Sequence, residues 1–83
     1  MADFTLEANE LGVSVKTYTD LFNLIARHIT EEGDYYRNIR RMCQTKSGVR
    51  IVMRNVLEDM RVLDCGANAA VAHYEQELTN ENY

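Results

Sequence analysis

A stripe of eight apolar residues constrains the fold of this chain more than any other feature of its sequence. The stripe recurs at alternating spacings of four and three, the heptad pattern of packed helices. Its members are Val49, Met53, Val56, Met60, Leu63, Ala67, Ala70 and Tyr74. The chain contains no proline, so the strongest helix breaker is absent throughout. The sequence therefore predicts an all-α protein with a long C-terminal helix, helix C, over residues 48–78.

Gly66 lies within helix C and costs about 1 kcal/mol of helix propensity relative to alanine. The stripe keeps its phase across this residue, so we expect one continuous helix. A helix of about 30 residues is ~45 Å long, whereas a compact globule of this size has a diameter of roughly 30 Å. Because part of the stripe would then lack cover, we expect a helical-bundle homo-oligomer, dimeric or larger, with the stripe at its interface.

Two shorter helices are predicted before helix C, which makes this a three-helix protein. Helix A covers residues 18–31, where apolar residues fall on one side of the helix. Thr17 is its expected N-cap, and Gly33 is expected to end it in the left-handed conformation. Helix B covers residues 35–44, with Asp34 as its expected N-cap.

The remaining segments carry weaker signals. Ser47 is the candidate cap of helix C, in a short polar turn. Residues 1–16 are expected to form an arm or a short helix, and residues 79–83 a flexible polar tail. The whole chain is expected to be one small domain.

Charge is segregated along the chain. Acids outnumber bases by 13 to 9, for a net charge of −4, yet residues 37–54 contain six cations and no acid. On helices B and C the arginines fall away from the apolar faces. The predicted partner- or anion-binding surface consists of Arg37, Arg40, Arg41, Lys46, Ser47, Arg50, Arg54 and Arg61. The ordinary alternative is that these cations are solvated or paired with the surplus acids.

No motif for metal binding or catalysis is present. The residue types that zinc uses are scattered, with no CxxC spacing: His28, Cys43, Cys65 and His73. Glu58 and Asp59 are adjacent and so point about 100° apart on a helix, which prevents them from acting as an acid–base pair. The sequence lacks GxSxG, HExxH and a glycine-rich phosphate loop. We therefore expect no metal, no cofactor and no enzymatic activity.

These features favour a small non-catalytic binding protein of the adaptor or inhibitor type. Such a protein would self-associate and engage an acidic or anionic partner, in the first place another protein, through its arginines; phage-encoded inhibitors of host or defence proteins are one class of this size. The alternatives are a nucleotide- or nucleic-acid-binding protein that uses the same basic patch, and an enzyme whose site is assembled at an oligomer interface. No apolar stretch approaches the ~20 residues of a membrane span, and the acidic N-terminal sequence is unlike a signal peptide. A cytoplasmic location is expected.

Overall fold

The computed structural model describes residues 4–81, and within them it contains five α-helices and no strand. The helices are α1 (Thr5–Leu11), α2 (Val15–Glu31), α3 (Arg37–Met42), α4 (Lys46–Leu63) and α5 (Ala67–Glu81). The described chain measures 35 × 28 × 20 Å, with a Cα radius of gyration of 12.1 Å. The all-α prediction is confirmed, but the described residues form five helices where three were predicted.

Helix C is divided into α4 and α5, so the prediction of one continuous helix is wrong. The break is at Asp64, which adopts the left-handed conformation (φ 52°, ψ 51°) and whose backbone N–H donates to the Met60 carbonyl. Aspartate tolerates this conformation better than most residues, and Gly66 after it has low helix propensity. The Gly66 carbonyl accepts the first hydrogen bond of α5, from the Ala70 N–H. The chain thereby reverses, and α5 packs against α4.

This reversal lets the chain cover its own heptad stripe. Met53, Val56, Ala70 and Tyr74 are buried in the core of the single chain, and Val49, Met60 and Ala67 pack around them; Leu63 is 45% exposed. The stripe therefore no longer argues for a second chain. Self-association through these residues stays a prediction without that support.

The predicted caps of helix A differ from those observed. The helix is α2, which begins at Val15, and its N-cap is Ser14, whose hydroxyl accepts from the Thr17 N–H at 3.1 Å. Thr17 is thus inside the helix. At the other end α2 stops at Glu32 without a left-handed residue, so the role assigned to Gly33 is wrong. A left-handed glycine does end the preceding helix: Gly12 (φ 72°) is the C-cap of α1.

Helix B is shortened to α3, the single short helix Arg37–Met42. Its N-cap position is Tyr36, which makes no side-chain capping bond, so Asp34 is not the cap. The predicted polar tail is partly wrong as well, because α5 continues to Glu81; residues 82–83 lie outside the described residues.

The turn between α3 and α4 leaves no space for a side chain at position 48. Thr45, and not Ser47, caps α4 by accepting from the Gly48 N–H at 2.9 Å. Gly48 is buried, and a Cβ at this position would overlap the Met42 carbonyl at the end of α3. Glycine is therefore required for α3 to lie against the first turn of α4.

Candidate functional site

Glu75 fixes the position of the short helix α3. This acid of α5 is 3% exposed. Its Oε1 accepts from the Ile39 N–H at 2.9 Å, and its Oε2 accepts from the Asn38 side-chain amide at 2.7 Å. A longer bond of 3.3 Å joins the Asn38 backbone N–H to Oε2. A carboxylate from α5 thus satisfies the free amides that a local cap would otherwise serve.

The arginines of α3 face solvent on this anchored helix. Ile39 is fully buried, whereas Arg37, Arg40 and Arg41 are exposed, as the predicted separation of faces requires. Arg37 and Arg41 lie one turn apart and line a shallow depression of about 310 Å³ together with Asn38 and Thr79. The depression is therefore bordered by two guanidinium groups and two uncharged polar side chains.

Two further residues at or next to α3, Arg40 and Tyr35, are exposed. The guanidinium of Arg40 lies over the backbone of Gly33, since a Cβ there would come within 2.5 Å of Nη1. Tyr35, in the turn before α3, is 56% exposed, and its ring lies 4.6 Å from the ring of buried Tyr36. An exposed aromatic ring thus accompanies the arginines of α3.

The basic residues of α4 are exposed too, but acids lie near some of them. Lys46 and Arg50 line a groove of about 320 Å³ beside α1, where Glu7 also contributes to the wall. Arg50 Nη1 lies 3.6 Å from Glu10 Oε2. This groove therefore has an acid in its wall, whereas the Arg37–Arg41 depression is lined by none and Glu81 lines the adjoining one with Arg41. The rest of the predicted set on this helix, Ser47, Arg54 and Arg61, is exposed.

Few of the predicted cations have an acidic partner. Within residues 4–81, Arg50 alone among the eight predicted residues makes an ion pair within 4.0 Å. The side chains of Arg50 and Glu10 in this pair are 51% and 42% exposed. Such surface pairs contribute about 0–1 kcal/mol to stability. The described residues thus show exposed, solvated cations, of which Arg50 is paired with an acid, so the solvated form of the ordinary alternative stands beside the binding surface.

A second polar cluster lies on the α4–α5 hairpin. His73 Nδ1 is 3.2 Å from Asp59 Oδ2 and 3.1 Å from Glu77 Oε1. The hydrogen bond to Asp59 raises the pKa of His73 above its usual value, and the Glu77 carboxylate adds to that effect. Burial, and then the nearby Asp59 carboxylate, raises the pKa of Glu77. The cluster is a histidine held between two carboxylates.

The sequence reasoning missed this cluster because it placed Asp59 and His73 on one continuous helix. Fourteen residues of helix would separate them by ~21 Å, whereas the chain reversal brings their side chains into contact. The spacing of His73 and Glu77, four residues apart, is a signal that the sequence did contain. Glu75 was missed as well, because its partners on α3 are 36 and 37 residues away.

The residues first considered for zinc are not assembled together. His28 Nε2 contacts Asn68 Oδ1 at 3.0 Å, and Cys65 Sγ lies 4.0 Å from the Asp59 carbonyl oxygen. Cys43 borders an apolar cavity of about 100 Å³ between α2 and α4, and burial raises the pKa of its thiol. In the described part of the chain, the residues that meet as possible metal ligands are Asp59, His73 and Glu77.

Comparisons with protein-family models, with curated proteins and with solved structures find no match to this chain. Among residues 4–81, no helix has the length and apolar character that crossing a membrane requires.

Proposed function

We propose that this protein is a non-catalytic binding protein, of the adaptor or inhibitor type, whose arginine surface engages an acidic protein. The observation that carries the proposal is the exposure of arginines that, Arg50 apart, have no acidic partner within residues 4–81, in a chain with four more acids than bases. Guanidinium groups form bidentate, charge-assisted hydrogen bonds with carboxylates, which makes them well suited to such a partner.

The centre of the proposed surface is α3. Arg37 and Arg41 border one depression, and the carboxylate of Glu75 holds the helix that carries them. A helix that is fixed before binding loses little freedom when the partner binds. The α4 residues Lys46 and Arg50 are a less favourable centre, because Glu7 and Glu10 lie beside them.

Affinity capture with a matched pair of charge variants tests this proposal. The first variant is Arg37→Glu/Arg41→Glu, and the control is Lys16→Glu/Arg27→Glu, which changes the net charge equally at exposed positions outside the surface. We expect the wild-type protein and the control to retain the same acidic partner from the lysate of the source cells, and the first variant to lose it. Equal retention by all three proteins, or no specific retention by the wild type, would contradict the proposal.

A second candidate, nucleotide binding, is favoured by Tyr35. Its ring is 56% exposed and lies two residues before Arg37, so a base could stack on the tyrosine while its phosphates meet the arginines. Thermal denaturation with a panel of nucleotides distinguishes the two functions. A nucleotide that raises the melting temperature of the wild type, but not that of Arg37→Glu/Arg41→Glu, would favour this second candidate.

A further inference from the structure

The cluster of Asp59, His73 and Glu77 has no part in the proposed function. It lies on the α4–α5 hairpin and combines one imidazole nitrogen with two carboxylate oxygens from two helices. The three candidate ligand atoms all lie within 4.8 Å of one another. Imidazole and carboxylate groups together are donors that first-row divalent metals accept.

The two distances from His73 to the carboxylates suit a single ion. Two ligand atoms that bind one metal at about 2.1 Å lie roughly 3.0–3.5 Å apart. His73 Nδ1 lies 3.2 Å from the Asp59 oxygen and 3.1 Å from the Glu77 oxygen. We propose that Asp59, His73 and Glu77 bind a divalent first-row transition metal, for which Zn²⁺ is the representative probe.

The fold presents these ligands with little need for rearrangement. His73 and Glu77 lie one turn apart on α5, so they chelate from one helix face. Asp59 approaches from α4, and its side chain is only 17% exposed, which limits its freedom. The His73 and Glu77 side chains are 45% and 48% exposed, so a metal has an entry path and water can complete its coordination shell.

Binding replaces a proton by the metal. When His73 is protonated, the aqueous M²⁺ forms a bond to the Nδ1 lone pair and one proton passes to solvent, so charge and atoms balance. The ion also neutralises the two carboxylates and links α4 to α5. A metal that binds the folded chain in this way raises its melting temperature.

Calorimetric titration with Zn²⁺ and thermal denaturation with and without Zn²⁺ test the proposal on the full chain. The variants are His73→Ala and Glu77→Gln, and the matched control is His28→Ala, which removes the other histidine, bonded to Asn68. We expect one Zn²⁺ per chain for the wild type and the control. Each cluster variant should lose about 10- to 100-fold in affinity or more, together with the rise in melting temperature.

Cobalt absorption separates this site from the thiols of Cys43 and Cys65. We expect d–d bands from nitrogen and oxygen ligands without thiolate charge transfer. The proposal is overturned if the wild type does not bind, if His73→Ala binds as well as the wild type, or if thiolate bands dominate the cobalt spectrum. Circular dichroism shows which variants keep the fold. If His73→Ala does not fold, the nearly isosteric variant Glu77→Gln provides the test.

Discussion

At the scale of single residues, Glu75 determines where α3 lies. The sequence gives no sign of this role, because a charged residue in a polar stretch of helix ordinarily faces solvent. Its three bonds to Asn38 and Ile39 become apparent only when α5 is placed against α3. The amides that it satisfies are buried, so they have no water to replace it.

Replacing Glu75 by alanine should destabilise the protein by about 2–3 kcal/mol, because the buried Ile39 N–H loses its acceptor. Urea denaturation measures the free energy of unfolding. The control is Gln76→Ala at the next, exposed position, which should change that free energy by less than about 0.5 kcal/mol. Equal losses for the two variants would show that the carboxylate does not support α3.

At the scale of helices, the approach of α3 to α4 depends on Gly48. The sequence identified a short polar turn here but not the contact, since the Met42 carbonyl lies on the preceding helix. We expect Gly48→Ala to lower the free energy of unfolding by about 2 kcal/mol or more, because the backbone must move.

The control for this prediction is Gly66→Ala. A Cβ at Gly66 meets open space, and the residue does not have a positive φ. Thermal or urea denaturation should show a change below about 1 kcal/mol for this variant. If Gly48→Ala were no more destabilising than Gly66→Ala, the result would contradict the close contact of α3 with α4 at Gly48.

The α4–α5 hairpin has a pH-dependent contact at His73, which faces Asp59 on α4 and Glu77 on α5. Since the folded state raises the pKa of His73, the stabilisation is complete below the unfolded pKa of about 6.5. It is lost as the pH rises through the folded pKa. We expect an NMR titration to give a lower His73 pKa in Asp59→Asn than in the wild type. A His73 titration curve that is the same in the two proteins would contradict the contact.

At the scale of the whole molecule, the sequence predicted the helical class, the apolar stripe and the outward arginines of α3, because each follows from a helical period. It did not predict how the stripe is covered. The phase of the stripe is the same on both sides of Gly66, so the pattern cannot distinguish a continuous helix from one that reverses at Asp64. The Asp59–His73–Glu77 cluster could not be predicted for the same reason.

The core, the anchor of α3 and the proposed metal site all depend on the reversal of the chain at Asp64. Nuclear Overhauser contacts between the His73 ring and the Asp59 side chain test it most directly, in a sample that mixes labelled and unlabelled chains. We predict that these contacts occur within one chain, as the 3.2 Å separation of Nδ1 and Oδ2 requires. Contacts that are absent, or that occur only between chains, would contradict the hairpin and restore the continuous helix, in which the two residues are ~21 Å apart.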